Sequence, residues 1–490
     1  MKVQLFPALV AVAGLAALAL PGQLVAQDLH YRVVDLGTFG GPGSFYASAP
    51  VVQSANNGGV VVGGAETSGT DPLAPNCSVI TVNCQIVHAF AWRDGVRTDL
   101  GTLPGGHSSI AYWISDSGLV LGNSDDGGVD AVSGLQDFAG VIWRNGQILN
   151  MGTLGVNFVS PTAMNGHGQA VGIALNAIPD QFSLLGLGTQ VRAFLWQDGV
   201  MLDLGTLGGP DGWASSINEQ GVIAGWALVD SMPTPTTGQP TQHPFLWRDG
   251  TMVDLGTLGG TLAVTGSLAN GGSGGAINNR GQVIGTSNLA GDLTHHAFRW
   301  DRGELIDLNT LGGDNSEAYW INESGQIVGR ADLPGSQVHH AFLWQNGKMI
   351  DLGFSPDWPC STAIDVNSRG QVIIDTGICG VGGGPGLLWD HGKLYDLNTL
   401  VPLNSGLTVG DVNFISDRGE IAAMGVLPNG DQHAVLLIPA TAEEIAAGDA
   451  LNASQRTPKA VHTLDRNSEG SASGGRYKML NMYRRTHQLP

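Results

Sequence analysis

The stretch HAFLWQNGKMIDLG, residues 340–353, has a hydrophobic pattern that predicts two short strands joined by a tight turn. In HAFLW, Ala and Leu point to one face and Phe and Trp to the other, so both faces are apolar. The Asn-Gly pair that follows suits a two-residue type I′ turn, which requires positive φ. A sheet that is apolar on both faces must be covered on both sides.

The same hairpin pattern recurs along the chain, as does a second pattern that resembles WINESGQIVG. The hairpin copies are 88–103, 139–155, 192–209, 243–260, 296–313, 340–353, 385–400 and the truncated 433–439. The second pattern is found at 54–64, 113–122, 163–172, 216–225, 276–285, 320–329, 365–374 and 414–425. Each pair of patterns predicts four short strands, so the chain is an array of eight repeats of about 50 residues.

The two ends of the array predict how it is organised. Residues 29–41 contain a DLG strand without its HAFLW partner, and residues 433–439 contain a HAFLW strand without its DLG partner. Pairing of 30–37 with 433–439 would complete the last sheet and leave no free edge. We therefore expect an all-β, eight-bladed β-propeller closed by its terminal strands, with a seven-bladed ring or an open β-solenoid as the alternatives.

The segments outside the array predict export. Residues 1–26 have one lysine, an apolar run and a small residue at Ala26, which is typical of a signal peptide cleaved after that alanine. An uncleaved anchor is the alternative. We expect a secreted or periplasmic protein with a single domain at 27–439. Residues 440–490 are predicted to be a flexible basic tail, or else a tail that docks onto an acidic ring.

Composition narrows the choice of partners. The net charge is −20, which excludes nucleic acid and an anionic membrane surface as natural partners. Inserts rich in Gly, Pro, Ser, Thr or Asp interrupt the repeats at 64–87, 124–138, 173–191, 227–242 and 261–275. The first four join a second strand to a third strand, so we expect them to emerge on one rim.

Four cysteines form two local pairs, which is typical of disulfides in an exported protein. We predict disulfides between Cys77 and Cys84 and between Cys360 and Cys379. Zinc binding is the alternative, although neither pair is a CxxC.

Taken together, the HAFLW and INxxG motifs resemble the HAF-family extracellular repeat, named after His-Ala-Phe. The resemblance covers roughly residues 30–439 and implies a secreted bacterial repeat protein, without implying a settled activity. The opening histidine is replaced in three copies, by Ala139, Arg192 and Pro385.

The repeated aspartate of DLG has two interpretations. A ring of carboxylates could bind calcium, whereas a turn role would let each carboxylate accept backbone hydrogen bonds, which Asn150 could also do. We favour the turn role for Asp35, Asp99, Asp203, Asp254, Asp307, Asp351 and Asp396. We likewise expect the repeated histidines to be scaffold, although the doubled His295-His296 and His339-His340 could hold a metal between neighbouring blades.

Tryptophans outside the HAFLW position are the candidate ligand-binding residues, because exposed aromatic rings stack against sugar faces. They are Trp113, Trp213, Trp226, Trp320 and Trp358. Packing between blades is the alternative for each of them.

No nucleophile elbow, HExxH, phosphate loop or EF-hand occurs in the chain. We therefore expect a monomeric, non-enzymatic binding scaffold without a cofactor, and with an extracellular carbohydrate or surface protein as its ligand. The alternatives are a propeller-type polysaccharide hydrolase or lyase and a structural envelope protein.

Overall fold

The computed structural model describes residues 29–46, 53–72, 74, 83–129, 137–267, 275–379, 382–402, 405–441 and 443–444. The predicted signal peptide 1–26 and nearly all of the predicted tail 440–490 lie outside these residues. The described part of the chain is all-β, as the sequence predicts, apart from the helical turn α1 (Leu397–Leu400) and the helical residues 443–444. No helix in the described ranges is long and apolar enough to cross a membrane.

Thirty-two strands follow one another in the described residues. Those of the first half are β1 His30–Asp35, β2 Gly40–Phe45, β3 Val61–Thr70, β4 Gln85–Arg93, β5 Val96–Asp99, β6 Ser109–Ile114, β7 Val120–Ser124, β8 Ala139–Arg144, β9 Gln147–Asn150, β10 Gly155–Met164, β11 Ala170–Pro179, β12 Thr189–Gln197, β13 Val200–Asp203, β14 Gly212–Ile217, β15 Ile223–Leu228 and β16 Gln242–Arg248. Those of the second half are β17 Thr251–Asp254, β18 Gly259–Thr265, β19 Val283–Leu289, β20 His295–Asp301, β21 Glu304–Asp307, β22 Ser316–Ile321, β23 Ile327–Asp332, β24 His339–Gln345, β25 Lys348–Asp351, β26 Cys360–Val366, β27 Val372–Gly377, β28 Leu387–Asp390, β29 Lys393–Asp396, β30 Thr408–Ile415, β31 Ile421–Val426 and β32 Gln432–Ala440.

The strands form four-stranded antiparallel units. Units 1 to 7 each take four consecutive strands, from β2–β5 to β26–β29, and unit 8 has the order β1-β32-β31-β30. A single parallel bridge between Gln242 and Leu262 joins units 4 and 5 into one longer sheet. In unit 8, His30 lies opposite Ala440 and Asp35 opposite Val435. The predicted pairing of the two terminal segments is therefore present over residues 30–35.

The hairpin turns have the backbone that the Asn-Gly signal predicts. Both turn residues have positive φ, for example 52° at Asn346 and 77° at Gly347. Arg302 and His391 adopt the same conformation, with φ of 52° and 48°. The repeat thus imposes the type I′ turn even where the residue disfavours it.

A glycine in the second strand gives the HAFLW phenylalanine room to pack. In unit 4, a Cβ on Gly225 would lie 2.6 Å from the Phe245 ring, and in unit 5 a Cβ on Gly285 would lie 2.5 Å from Phe298. The phenylalanines of five units are fully buried: Phe90, Phe194, Phe245, Phe298 and Phe342. This packing explains why glycine ends the second motif.

Neighbouring units are joined by asparagines of the INxxG turn. Asn322 Nδ2 donates to the backbone oxygen of Asn367 in the next unit at 2.9 Å. Equivalent bonds to the following unit are made by Asn56, Asn165, Asn218, Asn278 and Asn367. Because each asparagine also accepts N–H groups of its own turn, one side chain both closes a turn and fixes the neighbouring unit.

A second type of bond links the HAFLW strand to the next unit, and it recurs between units 8 and 1. The N–H of Ala341 donates to Ser361 Oγ at 2.9 Å, and the N–H of Ala434 in unit 8 donates to Ser44 Oγ in unit 1 at 3.0 Å. In addition, β2 lies against β32. Units 8 and 1 are therefore in contact through the same serine bond as units 6 and 7.

Several predicted inserts are partly strand. In unit 1, the second strand continues to Thr70 and the third strand begins at Gln85. In unit 3, the second strand continues to Pro179 and the third strand begins at Thr189. The segment 261–275 is not a connection between strands throughout, because β18 runs to residue 265. Alternating periodicity in such Gly-rich and Ser-rich segments is weak, so the strand ends were not visible in the sequence.

The predicted disulfide between Cys360 and Cys379 is present, with Cα atoms 5.1 Å apart. It joins the start of β26 to the connection after β27. Cys77 lies outside the described residues, so its pairing with Cys84 stays a prediction.

Candidate binding surface

Antiparallel order gives every unit two different ends. The tight turns that join first to second and third to fourth strands lie at one end, which we call the turn rim. The connections from second to third strands, and from each fourth strand to the next unit, lie at the other end. We call this end the insert rim; it comprises the described residues between β1 and β2, β3 and β4, β5 and β6, and so on to β31 and β32.

The repeated histidine and aspartate face each other at the insert rim in the five hairpins that have the histidine. His340 Nδ1 lies 2.9 Å from Asp351 Oδ2. The same pair is formed by His88 with Asp99, His243 with Asp254, His296 with Asp307, and His433 with Asp35, the last one joining the two ends of the array. Arg192 substitutes for the histidine in unit 3, with its Nε 2.9 Å from Asp203. A pair that accepts arginine in place of histidine does not require proton transfer.

The DLG aspartates also accept the backbone N–H two residues further on. Asp351 Oδ1 accepts from Gly353 at 2.8 Å, and Asn150 Oδ1 accepts from Gly152 at the same distance. Equivalent bonds are made by Asp35, Asp99, Asp203, Asp254, Asp307 and Asp396. These carboxylates thus act within their own hairpins, since five of them also pair with histidine and one with arginine.

The two histidines of a doubled pair contact different partners. His296 and His340 pair within their hairpins, whereas His295 Nε2 lies 3.5 Å from the buried Glu317. Arg330 Nη2 lies 2.6 Å from the same carboxylate. Burial alone would raise the pKa of Glu317, but Arg330 and His295 outweigh burial and lower it. Among the described residues, no group of three His, Cys, Asp or Glu side chains could hold a metal ion.

Two of the candidate tryptophans lie in the interior. Trp113 is 6% exposed, and its Nε1 donates to the backbone oxygen of Met164 in the next unit at 2.8 Å. Trp226 is 3% exposed and stacks on Trp213, with ring centroids 5.9 Å apart. Neither Trp113 nor Trp226 can present a ring face to a sugar, and one face of Trp213 is covered. Trp113 and Trp226 instead pack against residues of neighbouring units, which is the alternative interpretation.

Trp320 and Trp358 differ from each other. Trp320 is half-buried, packs against three separate core clusters and meets Phe414 edge-on at 6.3 Å. Because these clusters come from different units, Trp320 lies where the first strands converge. Trp358 is half-exposed in the connection between β25 and β26, so of the five it remains the best candidate for surface contact.

The insert rim exposes large apolar side chains. Leu293 is 92% exposed and Met232 is 68% exposed. Others in or beside these connections are Val129, Ile178, Phe182, Phe354, Ile378 and Val426. Eight exposed apolar side chains thus lie in or beside the insert rim, and Val96 and Val200 are exposed beside the turn rim. Apolar exposure is therefore greater at the insert rim than at the turn rim.

Aspartates fix the backbone beside three of these apolar residues. Asp180 Oδ1 accepts the N–H of Phe182 at 2.9 Å, and Asp230 Oδ1 accepts the N–H of Met232 at 3.2 Å. Asp126 Oδ1 accepts from Gly128 at 2.9 Å, one residue before Val129. A carboxylate thus closes each turn, while a neighbouring side chain is left in solvent.

Charge is distributed unequally between the two rims. The described residues of the insert rim include eleven aspartates and no lysine or arginine, and four of these aspartates, Asp71, Asp125, Asp137 and Asp211, are buried. The turns of the other rim contain acidic residues too, but arginines lie in or beside them, at Arg93, Arg144, Arg248, Arg280, Arg302, Arg369 and Arg418. Two guanidinium groups reach the insert rim from strands, where Arg97 donates to the backbone oxygens of Leu36 and Thr38 and Arg192 to that of Pro210. The sequence could have revealed this asymmetry once the strands were assigned, because it depends only on which connections lack a basic residue.

A cavity of about 310 Å³ lies between units 1 and 2 near the turn rim. Val60, Ala91, Ile114, Val120 and Trp143 supply most of its apolar lining. Several of these residues belong to the repeated motifs that pack units together, so we regard the cavity as part of the scaffold.

Comparisons with known proteins give distant likenesses only. No protein-family model matches the chain, and no curated protein matches it. A Mycobacterium tuberculosis puromycin-hydrolyzing peptidase is similar to 81% of this chain over 61% of its own, with 12% identity and a TM-score of 0.41. Porphyromonas gingivalis dipeptidyl peptidase 4 aligns with 83% of this chain over 61% of its own, with 10% identity and a TM-score of 0.45. Trypanosoma rangeli sialidase covers 63% of this chain over 58% of its own, with 9% identity and a TM-score of 0.33. The chain spans about 60% of the length of each of these proteins.

Proposed function

We propose that this chain is an exported binding scaffold of the HAF-repeat type, a closed ring of eight blades whose insert rim binds a cationic, apolar polypeptide segment of a surface protein. Export is supported by the signal-like residues 1–26 and by the disulfide between Cys360 and Cys379. Closure is supported by the pairing of β1 with β32 and by the Ala434–Ser44 bond between units 8 and 1.

The observation that carries the binding proposal is the combination of negative charge and exposed apolar residues on one rim. A neutral glycan needs open aromatic faces, but Trp113 and Trp226 are buried. An anionic, apolar rim instead complements a segment in which lysines or arginines alternate with apolar residues.

The test is binding of a synthetic peptide of alternating lysine and leucine, with an alternating serine and leucine peptide as the neutral control. Fluorescence anisotropy at low salt measures the Kd for the exported chain. The rim variant carries Asp126→Asn, Asp180→Asn and Asp230→Asn. Asparagine keeps the oxygen that accepts the turn N–H, so the loops should retain their shape while losing charge.

The matched turn variant carries Asp94→Asn, Asp198→Asn and Asp249→Asn, which change the net charge by the same amount. The equivalent turn of unit 2 already has asparagine, Asn145, at this position. We expect the rim variant to weaken binding about tenfold, since three lost charge contacts contribute roughly 0.5 kcal/mol each. The turn variant should bind like the wild type. Equal effects of the two variants would overturn the proposal, as would binding of a neutral glycan in place of the peptide.

A further inference from the structure

The last residues of the sequence have the chemistry that complements the insert rim. Residues 476–490, RYKMLNMYRRTHQLP, contain four lysines or arginines and no aspartate or glutamate. Two tyrosines, two methionines and two leucines are interspersed with them. The segment lies outside the described residues. Its charge is opposite in sign to that of the insert rim, and both contain apolar residues.

From this complementarity we propose that residues 476–490 dock on the insert rim of their own chain and compete there with an external partner. The inference rests on the proposed function, because it assigns an occupant to the same surface. The apolar contacts would be with side chains such as Phe182, Met232 and Leu293, and the ionic contacts with Asp126, Asp180 and Asp230.

The length of the connecting chain permits this docking. β32 has nine residues and ends at Ala440 on the turn rim of unit 8, whereas Asp126, Asp180 and Asp230 lie in units 2 to 4. The segment must therefore return along the height of one strand, about 30 Å, and also cross from unit 8 to these units. Residues 445–475 supply 31 residues for this path, which reach about 100 Å when fully extended.

Limited trypsin digestion of the whole exported chain tests the docking, because a docked segment is shielded from the protease. The insert-rim connections contain no trypsin site, so the rim stays intact during the assay. Cleavage at Arg484 and Arg485 is compared with cleavage at Arg456 and Lys459, which precede the docking segment. We expect the first pair to be cut at least tenfold more slowly at low salt. High salt should remove most of this protection, because it screens exposed charges.

The rim variant should lose the protection, and the turn variant should keep it. Protection should also be independent of protein concentration, as measured alongside sedimentation equilibrium. Equal cleavage of both site pairs in the wild type would overturn the inference. Protection that appears only with dimers would also overturn it, because the occupant would then be a second copy of the chain.

A tail variant separates this inference from the proposed function. Replacing Arg476, Lys478, Arg484 and Arg485 by glutamine should free the rim and tighten binding of the lysine–leucine peptide about tenfold. If the wild type binds that peptide while the tail is unprotected, only the present inference fails. If even the tail variant does not bind the peptide, the proposed function itself fails.

Discussion

Asn322 provides a graded test of how the units are held together. It is 6% exposed, its Oδ1 accepts the N–H groups of Ser324 and Gln326 at 3.0 Å each, and its Nδ2 donates to Asn367 O at 2.9 Å. Asn322→Ala removes these three bonds to the backbone, and also the side-chain bonds with Ser324 Oγ and Gln326 Oε1. Since a lost hydrogen bond to a buried group costs about 1 kcal/mol, we expect the free energy of unfolding to fall by about 3 kcal/mol.

Asn322→Ser should be milder, because the chain already contains serine at this position. Ser416 Oγ accepts the N–H groups of Arg418 and Glu420 within its own turn, at 3.3 and 3.2 Å. A serine at 322 should therefore keep the turn and lose mainly the bond to the next unit, at a cost of about 1 kcal/mol. Urea unfolding followed by tryptophan fluorescence gives both values. Equal losses for serine and alanine would refute the division between turn bonds and the bond between units.

Two further predictions concern single side chains. Trp113→Phe should cost about 1 kcal/mol more than Trp143→Phe in urea unfolding, because Trp113 Nε1 has a buried acceptor while Trp143 Nε1 has no hydrogen-bond partner in the described structure. Equal costs would show that ring volume alone matters at both places. The hydrogen bond between His88 and Asp99 raises the pKa of the histidine. Burial alone would raise the pKa of Asp99, but the hydrogen bonds from His88 and Gly101 outweigh burial and lower it. The histidine's contribution is lost as pH rises through its raised pKa, and that of the aspartate as pH falls through its lowered pKa. The stability difference between wild type and His88→Gln should thus be largest at about pH 4 to 6.5, and a difference that does not change with pH would contradict this.

Features that depend on neighbouring residues could be predicted from the sequence. The Asn-Gly turn and the strands beside it are local, so the hairpins were predictable. The pairing of β1 with β32 was also predictable, because two incomplete halves of one hairpin stood at the two ends of the array. Repetition made a contact between distant residues visible in the sequence.

Features that depend on packing between units could not be predicted in the same way. Trp113 and Trp320 occur in nearly identical sequences, AYWISDSG and AYWINESG, yet Trp113 bonds to Met164 whereas Trp320 meets Phe414 where the first strands converge. The difference arises from residues of other units, which no local pattern contains. Likewise, Trp213 and Trp226 of unit 4 stack at the cross-strand position where Glu317 and Arg330 of unit 6 form an ion pair.

The His–Asp pairing was within reach of the sequence. The histidine or arginine and its aspartate are eleven residues apart within each hairpin that contains both, as in His340 and Asp351. The copy that has Asn150 instead of aspartate also has Ala139 instead of histidine. This joint replacement indicates contact, and the structure places the paired side chains within hydrogen-bonding distance.

Amide hydrogen exchange of residues 27–490, with and without the lysine–leucine peptide, tests binding at the insert rim. If the insert rim is the binding surface, the peptide will slow exchange in its connections at 180–188, 229–241 and 290–294. The INxxG turns at the opposite rim should be unchanged. Slower exchange confined to the turn rim, or no change in either rim at saturating peptide, would contradict it.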